Sequence, residues 1–210
     1  MVEHDEVYWS KYAREYDRRG EYVVGTAILE AIARRLSQEQ DLGEVVEFGC
    51  GTGYFTKAIA RSATHVIATD LSDEMLEVAR VQLREFDNVT VERADAGHTA
   101  FPSERFDSVL MANLIHVVEN PVACLRESHR ILRDGGLLLL VDFTGYGMHW
   151  SERAKLGVRY VSRFGIPPRH TQDRLSPGRL SSLAEGAGFR VEAVQLLEEN
   201  TNALYLRGRK

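Results

Sequence analysis

Long apolar runs are absent from this chain of 210 residues. The longest, Leu137–Val141, is the size of a strand. Nothing approaches the roughly 18 to 20 residues that cross a bilayer, so membrane insertion is not expected. The opening residues Met1-Val2-Glu3-His4-Asp5-Glu6 are acidic and polar and contain no stretch of signal-peptide type. A cytoplasmic location is therefore the expectation. Cysteine is scarce: Cys50 and Cys124 lie far apart without metal-ligand spacing. They are read as reduced thiols, and no metal is expected. Positive charge is not in excess, with 26 Lys and Arg against 31 Asp and Glu and a formal net charge of −5. That balance gives no support to a nucleic-acid partner, which usually requires a basic face. Internal repeats and low-complexity tracts are also missing. What remains is 44% hydrophobic and 27% charged, the composition of a globular chain with one core and some decoration.

The periodicity alternates. The first forty residues read as helical, with Tyr8, Trp9, Tyr12 and Tyr16 along one face of a helix from Val7 to Arg19. Gly20 is expected to break it before a second helix, Tyr22 to Leu36. Strand Val45–Phe48 follows, then helix Tyr54–Arg61, strand His65–Thr69, and a helix from Asp73 to about Glu85 with Ser72 as its cap. Strands Asn88–Glu92 and Phe106–Met111 come next. A helix from Pro121 to Leu132 is expected to stop at Asp134-Gly135-Gly136, ahead of the all-apolar strand Leu137–Asp142. The remainder departs from the alternation. A long connection, Phe143 to Pro177, holds a helix at Glu152–Arg163. Helix Gly178–Ala187 and two closing strands, Phe189–Leu196 and Thr201–Arg207, complete the chain. Their short connection predicts an antiparallel pair. The pattern as a whole predicts an α/β, doubly wound, Rossmann-like sheet, mostly parallel and seven-stranded.

One segment carries chemistry. A buried strand ends in Glu47-Phe48-Gly49-Cys50-Gly51-Thr52-Gly53 and a helix follows. Glycine there permits unusual dihedrals and admits a ligand against the backbone. The turn lies at the carboxyl edge of the sheet, where doubly wound folds bind ligands. A dinucleotide site typically uses G-x-G-x-x-G, whereas this turn is G-x-G-x-G preceded by the acid Glu47. A carboxylate at that point suits a ligand with positive charge better than a pyrophosphate. Asp70, ending the second strand, can accept hydrogen bonds from two ribose hydroxyls and serves either ligand class.

Five segments in order, Val45–Gly53, Ala68–Ser72, Ala94–Ala96, Phe106–Val109 and Leu132–Gly136, resemble the class I S-adenosylmethionine-dependent methyltransferase family. The small-molecule branch that includes quinone-pathway methylases is the most similar. The resemblance covers about residues 40 to 142 and implies S-adenosylmethionine as cofactor. It also implies that Gly49, Gly51 and Gly53 flank the methionine part, Asp70 holds the ribose and Leu71 packs on adenine. Asp95 would meet the adenine amine with Ala96 beside it, and Asn113 would lie near the methionine end. On this reading residues 1–40 form a helical cap and 41–142 the cofactor-binding core. Residues 143–180 form a substrate-side connection and 181–210 the closing helix end and strand pair. The family's N-terminal helix folds over the cofactor, which implicates Tyr12 and Tyr16, unless they simply pack an amphipathic helix on the core.

Methyl transfer from a sulfonium needs positioning more than acid–base chemistry, and no catalytic triad is visible. His116, after the fourth strand, is the best candidate base; the alternative is a surface or capping histidine. His149, His170 and His98 are weaker candidates, and His4, His65 and His129 are read as surface or packing residues. The connection carries Arg153, Lys155, Arg159, Arg163, Arg169, Arg174 and Arg179 against Glu152 and Asp173. This excess points to an acceptor that is anionic, or an aromatic carrying a carboxylate or phosphate that arginine could hold in pairs, or, more plainly, to a solvated helix face. Five other readings stand beside the small-molecule enzyme. They are an NAD-dependent oxidoreductase, a nucleic-acid methylase, a metal-type catechol methylase, a thiol or metalloid methylase, and a non-catalytic domain that binds cofactor or a partner. The spacing of the glycines, the segment Asn113-Leu114-Ile115-His116, a lone Asp142 and two cysteines argue in turn against the first four. Oligomeric state is left open.

Overall fold

The computed structural model describes residues 8–166 and 175–210. After a short 3-10 turn at Ala13–Glu15 come helices α1 (Tyr16–Val24) and α2 (Thr26–Leu36). The alternating region is β1 (Gly43–Phe48), α3 (Thr56–Ala60), β2 (Ala63–Asp70), α4 (Asp73–Gln82) and β3 (Val89–Arg93). It continues with β4 (Phe106–Ala112), α5 (Pro121–Ile131) and β5 (Leu132–Thr144). Helices α6 (Trp150–Phe164) and α7 (Pro177–Gly186) precede strands β6 (Arg190–Glu198) and β7 (Asn202–Arg209). All seven strands join one sheet in the order β3-β2-β1-β4-β5-β7-β6. The neighbours β3 to β5 are parallel, and β7 runs antiparallel to both β5 and β6. This is the α/β fold that the alternation predicts.

Helices cover both faces, and the strands read accordingly. Along β5, Leu137, Leu139 and Val141 join the core beneath α2, while Leu138 and Leu140 join the opposite core beneath α5 and α7. Five consecutive apolar residues are thus required of a strand buried on two sides. The caps are as the sequence specifies. Ser72 accepts the Met75 N–H at the start of α4, and Asn120 accepts the Ala123 N–H with Pro121 in the first turn of α5.

Four expectations require correction. Gly20 does not break the first helix: α1 runs through it and ends at Gly25, whose φ of +91° only glycine adopts readily. Burial of Val23 and Val24 in the core outweighs the roughly 1 kcal/mol that an interior glycine costs. Tyr8–Ser10 and the 3-10 turn replace the single N-terminal helix, and Val7 lies outside the described residues. Helix α3 is one turn and a residue rather than the expected Tyr54–Arg61. Strand β5 begins at Leu132, not Leu137, with Asp134-Gly135-Gly136 as a bulge inside it. Phe106 pairs with Leu132 but Ser108 with Leu137, and Gly135 at φ +74° absorbs the extra residues.

Candidate functional site

The sheet order reverses between β1 and β4, so a crevice opens above their carboxyl ends. A cavity of about 940 Å³ fills it. Its floor is the glycine turn. The Cys50 N–H donates to the Thr69 carbonyl at 2.8 Å, tying the turn to β2, and the Gly53 N–H closes it on the Cys50 carbonyl at 2.9 Å. Gly49, Gly51 and Gly53 all have positive φ, but they do different work. A Cβ on Gly51 would meet nothing within 4 Å, so this glycine opens the cavity to a ligand. A Cβ on Gly49 would strike Leu114 and one on Gly53 would strike Leu83, each at 2.7 Å. Gly53 is not in the cavity wall and serves the packing of α4.

Acids surround the turn. Asp70 accepts the Gly51 N–H on Oδ2 and the Ser72 N–H on Oδ1, both at 2.9 Å. Its carboxylate is thereby fixed in orientation at the edge of the cavity. Glu47 is 1% exposed and accepts the Thr56 hydroxyl at 2.5 Å. Burial pushes its carboxyl up to about 7, against the Thr56 hydrogen bond and with a further push from Asp70. Asp95, Ala96 and Leu71 line the cavity, with Asp95 Oδ1 accepting the Gly97 N–H at 2.8 Å. Cys50 is buried and its thiol is pushed well up by burial and by Glu47 and Asp70, as an inert filler requires.

Asn113 shapes the other side. It takes φ +57°, a region asparagine tolerates, and donates its N–H to the Val141 carbonyl at 2.7 Å. The chain therefore folds back at the end of β4. That reversal lays His116 over Asp142, so that His116 Nδ1 is hydrogen-bonded to Asp142 Oδ1 and the His116 N–H reaches Oδ2 at 3.3 Å. Asp142 is completely buried, whereas His116 forms part of the cavity wall. The Asn113 Oδ1 atom is buried without a hydrogen-bond partner. His116 is therefore neither a surface residue nor a helix cap, since Asn120 caps α5.

The roof comes from the N-terminal segment and α6. Thr52 donates to Asp17 at 2.5 Å, Gln82 donates to Asp17 at 2.7 Å, and the hydroxyls of Ser10 and Ser72 lie 2.8 Å apart. These bonds hold α1 and its leading turn over the glycine turn. Tyr16 is in the cavity wall; its hydroxyl is pushed up by burial and by Asp70, Asp17 and Asp142. Tyr12 is not in the wall, and its hydroxyl donates to the Phe164 carbonyl at 2.8 Å. Trp9 and Tyr160 hold the wall positions that the sequence reading did not include.

Among the other histidines, His98 is in the wall and His149 caps α6 by accepting the Ser151 N–H. His65 bonds Thr90, and His129 lies edge-on to Phe189. Among the described residues of the basic connection only Arg153 reaches the cavity; Lys155 pairs with Glu152 and Arg163 stacks over Tyr22. His4, Arg169, His170, Asp173 and Arg174 lie outside the described residues. Among the described residues no three His, Cys, Asp or Glu side chains come together as a metal site, and no helix is long and apolar enough to cross a membrane.

An open doubly wound sheet with a ligand crevice at its switch point, floored by a glycine turn and acids, defines the class. Comparison with known proteins narrows it. The family model described as a methyltransferase domain matches residues 46–140. A demethylmenaquinone methyltransferase of Clavibacter sepedonicus is 32% identical over 189 residues, covering 83% of this chain and 77% of that protein. Another from Tropheryma whipplei is 32% identical over 158 residues, covering 73% of this chain; the chain spans 64% of that relative's length. Among solved structures, an S-adenosylmethionine-dependent methyltransferase of Thermotoga maritima superposes with a TM-score of 0.75 at 23% identity, covering 99% of this chain and all of that one. The chain belongs to the class I S-adenosylmethionine-dependent methyltransferase superfamily.

Proposed function

We propose that the protein is an enzyme that transfers a methyl group from S-adenosylmethionine to a small-molecule acceptor, with His116 as base. The observation that carries this is the His116–Asp142 pair in the wall of the cavity that the glycine turn and Asp70 floor. A domain that only bound the cofactor would have no use for a histidine backed by a buried carboxylate at that place.

The residues present fit the cofactor. Gly51 leaves the backbone bare, Asp70 is pre-set for two ribose hydroxyls, and Glu47 faces the cavity where an ammonium or sulfonium would benefit from negative charge. Leu71, Asp95 and Ala96 would take the adenine, and Asn113 Oδ1 and Tyr16 the methionine end. When bound, S-adenosylmethionine supplies a methyl group on a positively charged sulfur that leaves as a neutral thioether. Asp142 accepts from His116 Nδ1, fixing the tautomer in which Nε2 carries the lone pair. His116 takes the acceptor's proton at Nε2, and Asp142 stabilises the resulting imidazolium. Tyr16, Trp9 and Tyr160 exclude water above the reacting groups.

The acceptor is a flat ring compound on this reading. The support is the aromatic roof, together with relatives named for demethylmenaquinone methylation and, in Xanthomonas axonopodis pv. citri, for ubiquinone biosynthesis O-methylation at 29% identity. Neither a metal nor a nucleic-acid partner is invoked. Calorimetric titration with S-adenosylmethionine, S-adenosylhomocysteine and NAD tests the cofactor assignment. The adenosyl ligands should bind at micromolar levels and NAD not at all, and Asp70→Ala should weaken the former by at least about tenfold. Binding without methylation of any ring acceptor would favour a non-catalytic domain, and no adenosyl binding by folded protein would end the proposal.

A further inference from the structure

Two polar groups at the β5 end of the cavity have no place in the cofactor site. Thr201, in the turn between β6 and β7, is 0% exposed, and its hydroxyl has no hydrogen-bond partner although it lines the cavity. A buried hydroxyl left unpaired costs on the order of 1 to 3 kcal/mol, so its retention points to a partner that arrives with a ligand. Arg153, in the first turn of α6, also lines the cavity and makes no ion pair among the described residues. Its side chain lies across Gly145, where a Cβ would stand 2.9 Å from the Arg153 Nε atom. A glycine at 145 is thus what lets the guanidinium lie along the cavity wall. Of the acids that line the cavity, Glu47, Asp70 and Asp95 stand on or after β1, β2 and β3, and Glu119 just before α5.

The strand register sets the spacing. Asp142 faces Leu204 and Thr144 faces Asn202 across β5 and β7. Thr201 lies one step further, so about three residues of strand, roughly 10 Å, separate its level from that of Asp142. His116 projects from Asp142 into the same cavity. A single ring with groups at opposite ends spans such a gap.

Resting on the methyltransferase reading above, we propose that Arg153 and Thr201 form an anion subsite and that the acceptor is an aromatic hydroxy acid. Its carboxylate is held by the Arg153 guanidinium and the Thr201 hydroxyl. Its hydroxyl meets His116, and the flat ring lies under Trp150 and Tyr160 in the cavity wall. Arginine suits this task because its donors match a carboxylate in pairs.

The test is binding of 4-hydroxybenzoate, 4-hydroxycinnamate and their methyl esters, with and without saturating S-adenosylhomocysteine. At least one acid should bind about tenfold or more tightly than its ester. Arg153→Met should abolish that preference and Thr201→Val, which keeps the shape, should reduce it, while S-adenosylhomocysteine affinity stays within about twofold. Arg153 is exposed, so its variant tests the subsite even if the Thr201 variant misfolds. Esters that bind as well as the acids, no binding of either acid, or an intact preference in Arg153→Met would overturn the proposal. Loss of S-adenosylhomocysteine binding alone would instead remove the cofactor reading, because the acid–ester comparison in the free protein still reads the subsite.

Discussion

At the β1–β3 end of the cavity the wall is made of bare backbone and short acids, supplied by residues 47 to 97 in chain order. At the β5 end it is made of large side chains and a cation, among them Phe143, Trp150, Arg153 and Tyr160, with Thr201 beside them. The first end is assembled where adjacent parallel strands end: Asp70 is fixed by N–H groups at Gly51, across the β1–β2 pair, and at Ser72, and Asp95 by Gly97. The second is assembled by distant meetings: His116 with Asp142, Tyr12 with Phe164, and Thr144 with Asn202. A motif can specify the first kind of wall because a few φ angles and strand ends are enough. The second depends on how α1, α6 and the closing strands dock, which no short motif specifies.

The comparison breaks most sharply at the dyad. His116→Ala should lower turnover by about 10²- to 10⁴-fold, the usual contribution of a general base, with little change in S-adenosylhomocysteine affinity. Asp142→Asn should act through the histidine. The carboxylate holds the imidazole through Nδ1, so its loss should lower turnover while S-adenosylhomocysteine affinity stays unchanged. Turnover measured beside thermal unfolding separates this from a packing defect; unchanged turnover in the folded variant would remove Asp142 from the mechanism.

A second contrast lies within the glycine turn. Gly53→Ala combines left-handed strain of about 1 to 2 kcal/mol with a clash against Leu83, so it should depress the melting temperature of the free protein. Gly51→Ala carries the strain alone and places its methyl in the cavity, so it should lose more ligand affinity than stability. Equal effects on ligand affinity from the two would refute the division of roles.

The smallest effect concerns pH. Burial holds the Glu47 carboxyl up at about 7, above its ordinary 4.5, so the folded protein keeps a proton that the unfolded chain has lost. Its stabilising contribution is complete below about pH 4.5 and disappears as pH rises through about 7. The melting temperature of the free protein should therefore carry a downward component between about pH 5 and 8 that Glu47→Gln removes. A cationic group beside Glu47 favours the ionised form, so S-adenosylhomocysteine should bind more weakly as pH falls below about 7. Proton release on binding, read by calorimetry in two buffers, checks the sign.

Much of this was legible beforehand. The strands buried on both faces, the Ser72 cap and the antiparallel closing pair follow from pattern and turn chemistry alone, because short-range sterics and burial determine them. Gly20 and Asp134-Gly135-Gly136 misled because glycine marks only permission to turn, and packing of Val23, Val24 and the β4–β5 register decided whether a turn was made. The resemblance implicated Tyr12 and Gly53 at the cofactor; in the structure the Tyr12 hydroxyl donates to the Phe164 carbonyl and Gly53 packs against Leu83. Asp142 did leave a signal: it is the one acid ending an otherwise apolar run that is buried on both sides. A carboxylate there needs a partner, yet nothing local names His116, 26 residues away. Thr201 left no signal at all.

The sequence by itself determined the sheet, its glycine turn and the acids around it, since turn dihedrals and the pairing of adjacent parallel strands enforce them. Only the tertiary structure decided which histidine meets a buried carboxylate in the cavity wall and which cation lines the same cavity. Those choices depend on contacts between residues far apart in the chain, whose geometry exists only once both layers of helices have closed on the sheet.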